Sequence, residues 1–334
     1  MILSELCVLK LHLRYPRSER GAGRRTVAWL LQLLVACMSE NAAATEVHVS
    51  DAPGIGSTSM QEQVVRGPLR VLTLNLAHGR KDSLNQMLLG RPAFERNLAE
   101  AAELLRYSGA DVVALQEADG PSLWSGSFDH VAFLAAQADY PWYSRAGHAR
   151  TWLFDYGTAL LSRVPFTDRL DHAFRPSPPS MTKGLTLGQI AWHPDGRAGP
   201  VYVDIVSVHL DFSRDSVRRQ QIAETTATLS NRARPMIVLG DFNSDWLSND
   251  SVVTELARRC GMQAYQPMAD HLGTYRSSGH RLDWVLISDD LEFLHHEVLP
   301  HVVSDHHAVM AVIGLRDMND TAQAETRGSS RCTE

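Results

Sequence analysis

Met236-Ile237-Val238-Leu239-Gly240-Asp241-Phe242-Asn243 reads as a buried strand that stops on a polar cluster. Four apolar residues, two of them β-branched, are bounded by Pro235 and Gly240, and the carboxylate and amide come immediately afterwards. Four more segments show the same break from apolar run to polar group: Leu74-Asn75, Gln116-Glu117, Val208-His209-Leu210 and Ser304-Asp305-His306. Their polar residues are expected to crowd together at the ends of neighbouring buried strands, which is how a fold assembles an active site.

Working outward from these runs, the pattern predicts strands at 69–75, 111–115, 157–162, 185–192, 201–208, 235–239, 282–287 and 308–314. Helices are predicted at 92–107, where Phe94, Leu98, Ala102 and Leu105 share a face, and at 128–138, 214–231 and 251–260. The mixture lacks strict βαβ spacing, which favours two packed sheets flanked by helices over a doubly wound parallel sheet. No internal repeat is visible, and one domain is expected over 67–316.

With 334 residues, 44% hydrophobic and 21% charged, the chain has the composition of an ordinary globular protein. The formal charge of -6 is uneven: residues 1–36 hold six Lys or Arg against two Glu, which leaves an acidic body. That body argues against a protein that coats nucleic acid, while leaving room for a nuclease with a local basic cleft. Arg24-Arg25, the apolar run 27–36 and Cys37 suit a signal peptide. Leu34-Val35-Ala36-Cys37 also resembles a bacterial lipobox, in which the Cys is lipidated. The competing reading is a plain secretory signal cut near Asn41-Ala42-Ala43-Ala44. The expectation is export to a bacterial cell envelope or periplasm, with a membrane tether through Cys37. Residues 37–66 are expected to be a flexible tether and 317–334 a disordered tail. Of Cys7, Cys37, Cys260 and Cys332, only the last two remain for a mature disulfide, and none is expected; no close spacing suggests zinc.

Glu117 at the end of a buried strand could face a hard cation, with Asn75 and Asp305 as neighbours, and Mg²⁺ favours a few oxygen ligands completed by water. Asp241 and Asn243, two apart, would point to one side if the segment stays extended; the plain alternative is an Asx turn. Asp241 could orient or deprotonate water, and Asn243 could donate to a phosphoryl oxygen. His306 beside Asp283 could have its tautomer fixed and move a proton near neutral pH. His209 is delivered to the same edge as Asp241, whereas His295, His296, His301 and His307 read as filler. Taken alone, Glu117 is more simply a solvated loop acid, and a lone His is more often surface or core filler.

Taken in order, Asn75 in "LTLN", Glu117 in "LQE", "YGTALLSR" at 156–163, His209 in "VHL", "GDFN" at 240–243, Asp283 in "RLDWV" and "SDHH" at 304–307 resemble the endonuclease/exonuclease/phosphatase superfamily of deoxyribonuclease I-like metal-dependent phosphoesterases. The resemblance covers roughly 69–314 and implies a four-layer α/β sandwich, two face-to-face β-sheets with helices outside. It implies that Glu117 is the principal ligand of Mg²⁺, or of Mn²⁺ in its place, assisted by Asn75 and Asp305. Asp241 would activate water, Asn243 would hold a phosphate oxygen, and His306 with Asp283, together with His209, would stabilise the phosphoryl group and manage protons. Tyr156 and Lys183 are further candidates for substrate binding. His209 departs from the Tyr-x-Pro-Asn pattern of the abasic-site endonucleases and favours the branch holding secreted nucleases, sphingomyelinases and inositol-phosphate phosphatases.

The expected activity is therefore a metal-assisted phosphodiesterase, acting as a monomer on phospholipid or on extracellular nucleic acid, the latter as substrate only. The alternatives are a phosphomonoesterase of small phosphorylated metabolites and a catalytically dead binding scaffold. The four acids Glu117, Asp241, Asp283 and Asp305 are all present, which favours catalysis. Trp124, Phe128, Trp142, Tyr143, Trp152 and Phe154 are expected in loop-like stretches, as an apolar recognition surface or as packing. Arg145, His148, Arg150, Lys183 and Arg214 are candidates for a basic groove.

Overall fold

Residues two apart on each central strand face the same way, and this single periodicity both builds the core and aims the site. The computed structural model describes residues 48–51, 63–316 and 332. The expected signal segment and Cys37 lie outside the described residues, as do most of the tether and the tail. The strands are β1 (His48–Asp51), β2 (Val65–Arg66), β3 (Leu69–Asn75), β4 (Val112–Asp119), β5 (Trp142–Arg150), β6 (Asp155–Ser162) and β7 (Phe166–Ala173). They continue with β8 (Gly184–His193), β9 (Val201–His209), β10 (Met236–Asp241), β11 (Met262–Ala264), β12 (Asp283–Ser288), β13 (Leu291–Val298) and β14 (Val309–Leu315). The helices are α1 (Arg91–Ser108), α2 (His130–Gln137), α3 (Asp215–Leu229) and α4 (Val252–Cys260).

One sheet runs β1-β5-β6-β4-β3-β14-β13, the other β11-β12-β10-β9-β8-β2 with β7 also on β8. The pairs β3/β4 and β9/β10 are parallel, and most others are antiparallel. Leu69, Val71, Val112, Ala114, Val203, Ile205, Ile237, Leu239, Val285 and Ile287 meet between the sheets in one buried cluster. The alternate residues Leu72, Leu74, Val113 and Leu115 pack against α1 and α2. On the other side Val206, Val208 and Val238 pack against α3 and α4. The layers are thus helix, sheet, sheet, helix, the expected sandwich.

Helix ends follow local chemistry. Asp129 caps α2 through the amides of Val131 and Ala132, and Gly109 and Gly261 end α1 and α4 in left-handed conformation. No helix among the described residues is long and apolar enough to cross a membrane.

The inter-sheet core is not wholly apolar. Just behind its open end Gln116 donates to Ser207 Oγ (3.0 Å) and accepts from Thr73 (3.2 Å), while Ser207 donates to the Leu115 carbonyl (3.0 Å). Thr158 and Thr186 join the sheets a strand away, at 2.7 Å.

The structure corrects several expectations. β5, β7, β11 and β13 were not expected; they are short or carry many polar, partly exposed residues, which conceals the alternation. Trp142 and Tyr143 accordingly lie in a strand, and Trp124 and Phe154 are buried with Tyr156, leaving Trp152 exposed. Within the stretch expected as a tether, β1 pairs with β5 and β2 with β8. Cys260 is disulfide-bonded to Cys332, contrary to expectation: a tail residue with no local signal is buried against α4. Two of the five basic-groove candidates are withdrawn from any surface, because Arg145 is buried in a bidentate ion pair with Asp155 (2.9 and 3.0 Å) and His148 is buried against Thr158 (2.8 Å).

Candidate active site

The inward-facing series 71-73-75 on β3, 205-207-209 on β9, 237-239-241 on β10 and 287-285-283 on β12 all run out at the same end of the inter-sheet core. Asn75, His209, Asp241 and Asp283 are therefore the last members of rows that are otherwise core. β4 needs a different device, since 112-114-116 would leave residue 117 on the helical side. A bulge between Gln116 and Ala118 opposite β6, with Glu117 at φ 49°, turns this carboxylate inward as well. Asn243 (φ 48°), Ala77 (46°) and His78 (56°) are also left-handed. Non-glycine residues there cost about 1–2 kcal/mol each, so backbone strain is concentrated at this end of the sandwich.

These groups open onto a cleft of about 440 Å³ lined by Asn75, Glu117, Lys183, His209, Asp241, Asn243, Asp305 and His306 among others. Eight of the ten residues singled out from the sequence thus share one cavity. Asp283 sits directly behind it, its Oδ2 2.7 Å from His306 Nδ1. Tyr156 does not face the cleft: its hydroxyl donates to the Thr182 carbonyl (3.2 Å), and its ring lies 5.1 Å from Lys183 Nζ. It braces the lysine rather than presenting a phenol.

Asp241 is the hub. Its Oδ2 accepts from Asn75 Nδ2 (2.9 Å), with His209 Nε2 at 3.6 Å and His306 Nε2 at 3.9 Å, while Oδ1 accepts the Asn243 amide (2.8 Å). That last bond is an Asx turn, the second of the two readings open for 241–243: the strand ends at Asp241, and Asn243 Nδ2 donates to the Leu210 carbonyl (3.0 Å). Burial and the charge of Asp283 raise the Asp241 carboxyl to about 7, against the pull of His306. Burial works against the His306 imidazolium, but Asp283 and Asp241 raise its pKa to about 10. Burial and the neighbouring Lys183 ammonium push His209 well below its usual range, so it is a neutral imidazole.

Lys183 is not solvated. It is buried, 3.4 and 3.2 Å from the two ring nitrogens of His209 and 3.7 Å from Glu117 Oε1. Burial lowers its pKa, opposed by Glu117 and Asp241. Asp305 lines the cleft but its carboxylate is ion-paired with Arg80, a residue the sequence reading missed. His78 was missed too: Nε2 is 3.2 Å from Glu117 Oε2 and Nδ1 3.0 Å from Asp119 Oδ1. Neither follows an apolar run, so the strand-end pattern does not point to them. Phe212, Tyr275, Ser278, His280 and Leu282 complete the wall.

A divalent cation fits this donor set best at Glu117. Burial would raise its carboxyl, yet the positive charge of His78 and Lys183 holds it well below the usual range, so it is an anionic oxygen donor. Its Oε1 faces the cleft with Lys183 at 3.7 Å and His209 at 4.0 Å, both beyond ordinary hydrogen-bond length. Asp241, Asp283 and His306 also bring one potential ligand atom each within 4.8 Å of one another. There, however, His306 Nδ1 is already bonded to Asp283, the arrangement of an acid–imidazole pair. Asn75 could join Glu117 only through the free lone pair of Oδ1, which accepts the Ala77 amide (2.9 Å).

The sequence matches the Endonuclease/Exonuclease/phosphatase family over residues 72–306, and the chain belongs to that family. Its members are generally hydrolytic, metal-dependent phosphoesterases. No curated protein matches in sequence. The endonuclease/exonuclease/phosphatase from Beutenbergia cavernae superposes with a TM-score of 0.57 at 18% identity, over 75% of this chain and 72% of that one. The mannosyl-6-phosphatase of Bacteroides thetaiotaomicron gives 0.54 at 13% identity over 73% and 99% of the two chains. The beta toxin of Staphylococcus aureus gives 0.52 at 16% over 73% and 99%. Identities this low establish a shared fold and leave the substrate to the site itself.

Proposed function

We propose that the protein is a Mg²⁺-dependent phosphodiesterase that cleaves a P–O bond by in-line attack of water. The carrying observation is the convergence of Asp241, the His306–Asp283 pair, His209 and Lys183 on one cleft with Glu117. Asp241, whose carboxyl burial raises towards neutrality, takes the proton of the attacking water. His306, held by Asp283, and Lys183 donate to the phosphoryl oxygens as negative charge builds. Glu117, with Asn75 beside it, would hold the metal, which when bound neutralises charge on the transferring group. Asp305 supports the site through Arg80.

The cleft favours a diester by its room rather than by its charge. Glu117, Asp241, Asp283 and Asp305 stand against Arg80, Lys183 and His306. These charges nearly cancel, and a divalent ion turns the balance positive, so either a monoester or a diester anion is attracted to the cleft. The wall from Phe212 to Tyr275 and His280 leaves room for the second esterified group. Phospholipid and extracellular nucleic acid both belong to this class.

The test is turnover of bis(p-nitrophenyl) phosphate, p-nitrophenyl phosphate, plasmid DNA and sphingomyelin vesicles, with Mg²⁺ and with EDTA. Expected are metal-dependent cleavage of the diester, a Glu117→Gln variant with weakened Mg²⁺ dependence, and an Asp241→Asn variant at least 10²-fold slower with its fold intact. Unchanged rates in both variants would sink the mechanism, and hydrolysis of the monoester alone would overturn the diester assignment.

A further inference from the structure

Leu76 is followed by Ala77, His78 and Gly79 at φ 46°, 56° and 69°, three left-handed residues in succession. The turn is tied at both ends: Asn75 Oδ1 accepts the Ala77 amide (2.9 Å), and Asn97 Nδ2 donates to the Gly79 carbonyl (2.9 Å). Its product is one side chain in one place. The His78 ring stands edge-on to Trp124 (centroids 4.8 Å apart, interplanar angle 76°) and to Tyr156 (5.4 Å, 79°). It lies between two carboxylates, with Nε2 on Glu117 Oε2 and Nδ1 on Asp119 Oδ1. Both oxygens only accept, so the ring serves as donor on both sides. Asp119 is buried at the end of β4, two residues from Glu117. His78 itself is absent from the cleft lining and sits behind the glutamate.

We propose that His78, backed by Asp119, is a positioning residue for Glu117: it holds Oε2 and thereby presents Oε1 to the divalent cation. The inference rests on the metal reading of Glu117 given above. A glutamate at a bulge with left-handed backbone has no strand neighbour to fix its rotamer, and three side-chain torsions would otherwise be free. A donor anchored by its own buried carboxylate removes that freedom, as outer partners of metal ligands do; losing one commonly weakens metal affinity 10–100-fold. The left-handed turn is the device that brings an imidazole from the β3 edge to the side chain of β4.

The experiment is calorimetric titration of the full-length chain with Mn²⁺ and Mg²⁺, without substrate, alongside substrate saturation at saturating metal. His78→Asn tolerates the left-handed backbone and retains reach only to Asp119, whereas His78→Gln extends to Glu117. Expected are 10–100-fold weaker Mn²⁺ binding in H78N, substantial recovery in H78Q, and little change in substrate KM once metal saturates. Asp119→Asn leaves the turn untouched and should weaken binding in the same direction, so it carries the test if H78N fails to fold. Wild-type Mn²⁺ affinity in H78N and D119N would overturn the proposal, as would a raised substrate KM with unchanged metal binding. If Glu117→Gln abolishes Mn²⁺ binding while H78N does not, only the positioning role falls; if the wild type binds neither ion, the metal reading falls with it.

Discussion

Gly240 offers the sharpest test of how the fold sets the chemistry. It precedes Asp241 on β10, opposite Val208 of β9, one step from the pairing of Asp241 with His209. A Cβ at this position would lie 2.0 Å from the Val208 carbonyl oxygen, where ordinary contact is 3.4–4 Å, and the backbone φ is 149°. Gly240→Ala must therefore push β10 more than about 1 Å away from β9. The backbone angle alone costs on the order of 1–3 kcal/mol, and overpacking between two central strands adds roughly as much again. The displacement acts on the pair of groups 3.6 Å apart, His209 and Asp241. A misplacement of that size costs about 10²-fold in rate. Urea denaturation and kcat on a chromogenic phosphodiester with Mg²⁺ measure both consequences. Gly199→Ala, with nothing within 4 Å of the added methyl, is the control and should stay within about 0.5 kcal/mol of the wild type. A G240A protein with unchanged midpoint and kcat would refute the argument that this glycine sets the strand spacing on which the site depends.

Reduction of Cys260–Cys332, 72 residues apart, releases a loop constraint worth about 4 kcal/mol; equal melting temperatures with and without dithiothreitol, or in Cys332→Ser, would contradict it. Burial, then Arg145, holds His148 down to about 3, and burial, then Arg281, does the same for His296. An unfolded histidine titrates near 6.5, so the unfolded chain binds more protons between about 3 and 6.5, and stability present above 6.5 is lost as pH falls through that window. Each histidine contributes a slope approaching about 1.4 kcal/mol per pH unit, offset in part by Asp241, whose raised carboxyl works in the opposite sense over the same window; the urea midpoint should therefore fall less steeply from pH 7 to 5 in His148→Gln than in the wild type, and parallel profiles would refute the assignment. If Cys37 carries a lipid, Cys37→Ala moves the protein from the membrane to the soluble fraction, and retention on the membrane would exclude that anchor.

Much of the central architecture was legible because buried strands write period-2 apolar runs and the site residues end those runs. Asn75, His209 and Asp241 were found on that ground, and Asp283, which opens its strand, through its pairing with His306; all four terminate core rows. Glu117 was found by the same pattern, but its inward direction depends on a bulge that no residue type announces. The edge strands β7 and β13 were missed because each exposes many of its side chains to water, which replaces the alternation with charge. His78 and Arg80 come from a left-handed turn whose conformation is fixed by contacts from Asn75 and Asn97, both fixed only once the chain has folded. Of the two readings open for 241–243, extended strand or Asx turn, the turn prevails because Asp241 accepts the Asn243 amide. Cys332 gave no signal because pairing over 72 residues is a property of the folded chain, not of local spacing.

The hydrogen bonds of Gln116 and Ser207 have a consequence for shear between the two sheets. Interdigitated apolar faces packed about 10 Å apart resist separation, but apolar burial is non-directional and does not by itself fix one polar register between the sheets. Glu117 belongs to one sheet, and His209, Asp241 and Asp283 to the other, so any slide would misalign the two halves of the cleft. A directional bond between Gln116 and Ser207, closed by Thr73 and the Leu115 carbonyl, works as a key in a slot. Its position immediately before Glu117 and two residues before His209 places the stop against sliding where a small slip would do the most damage.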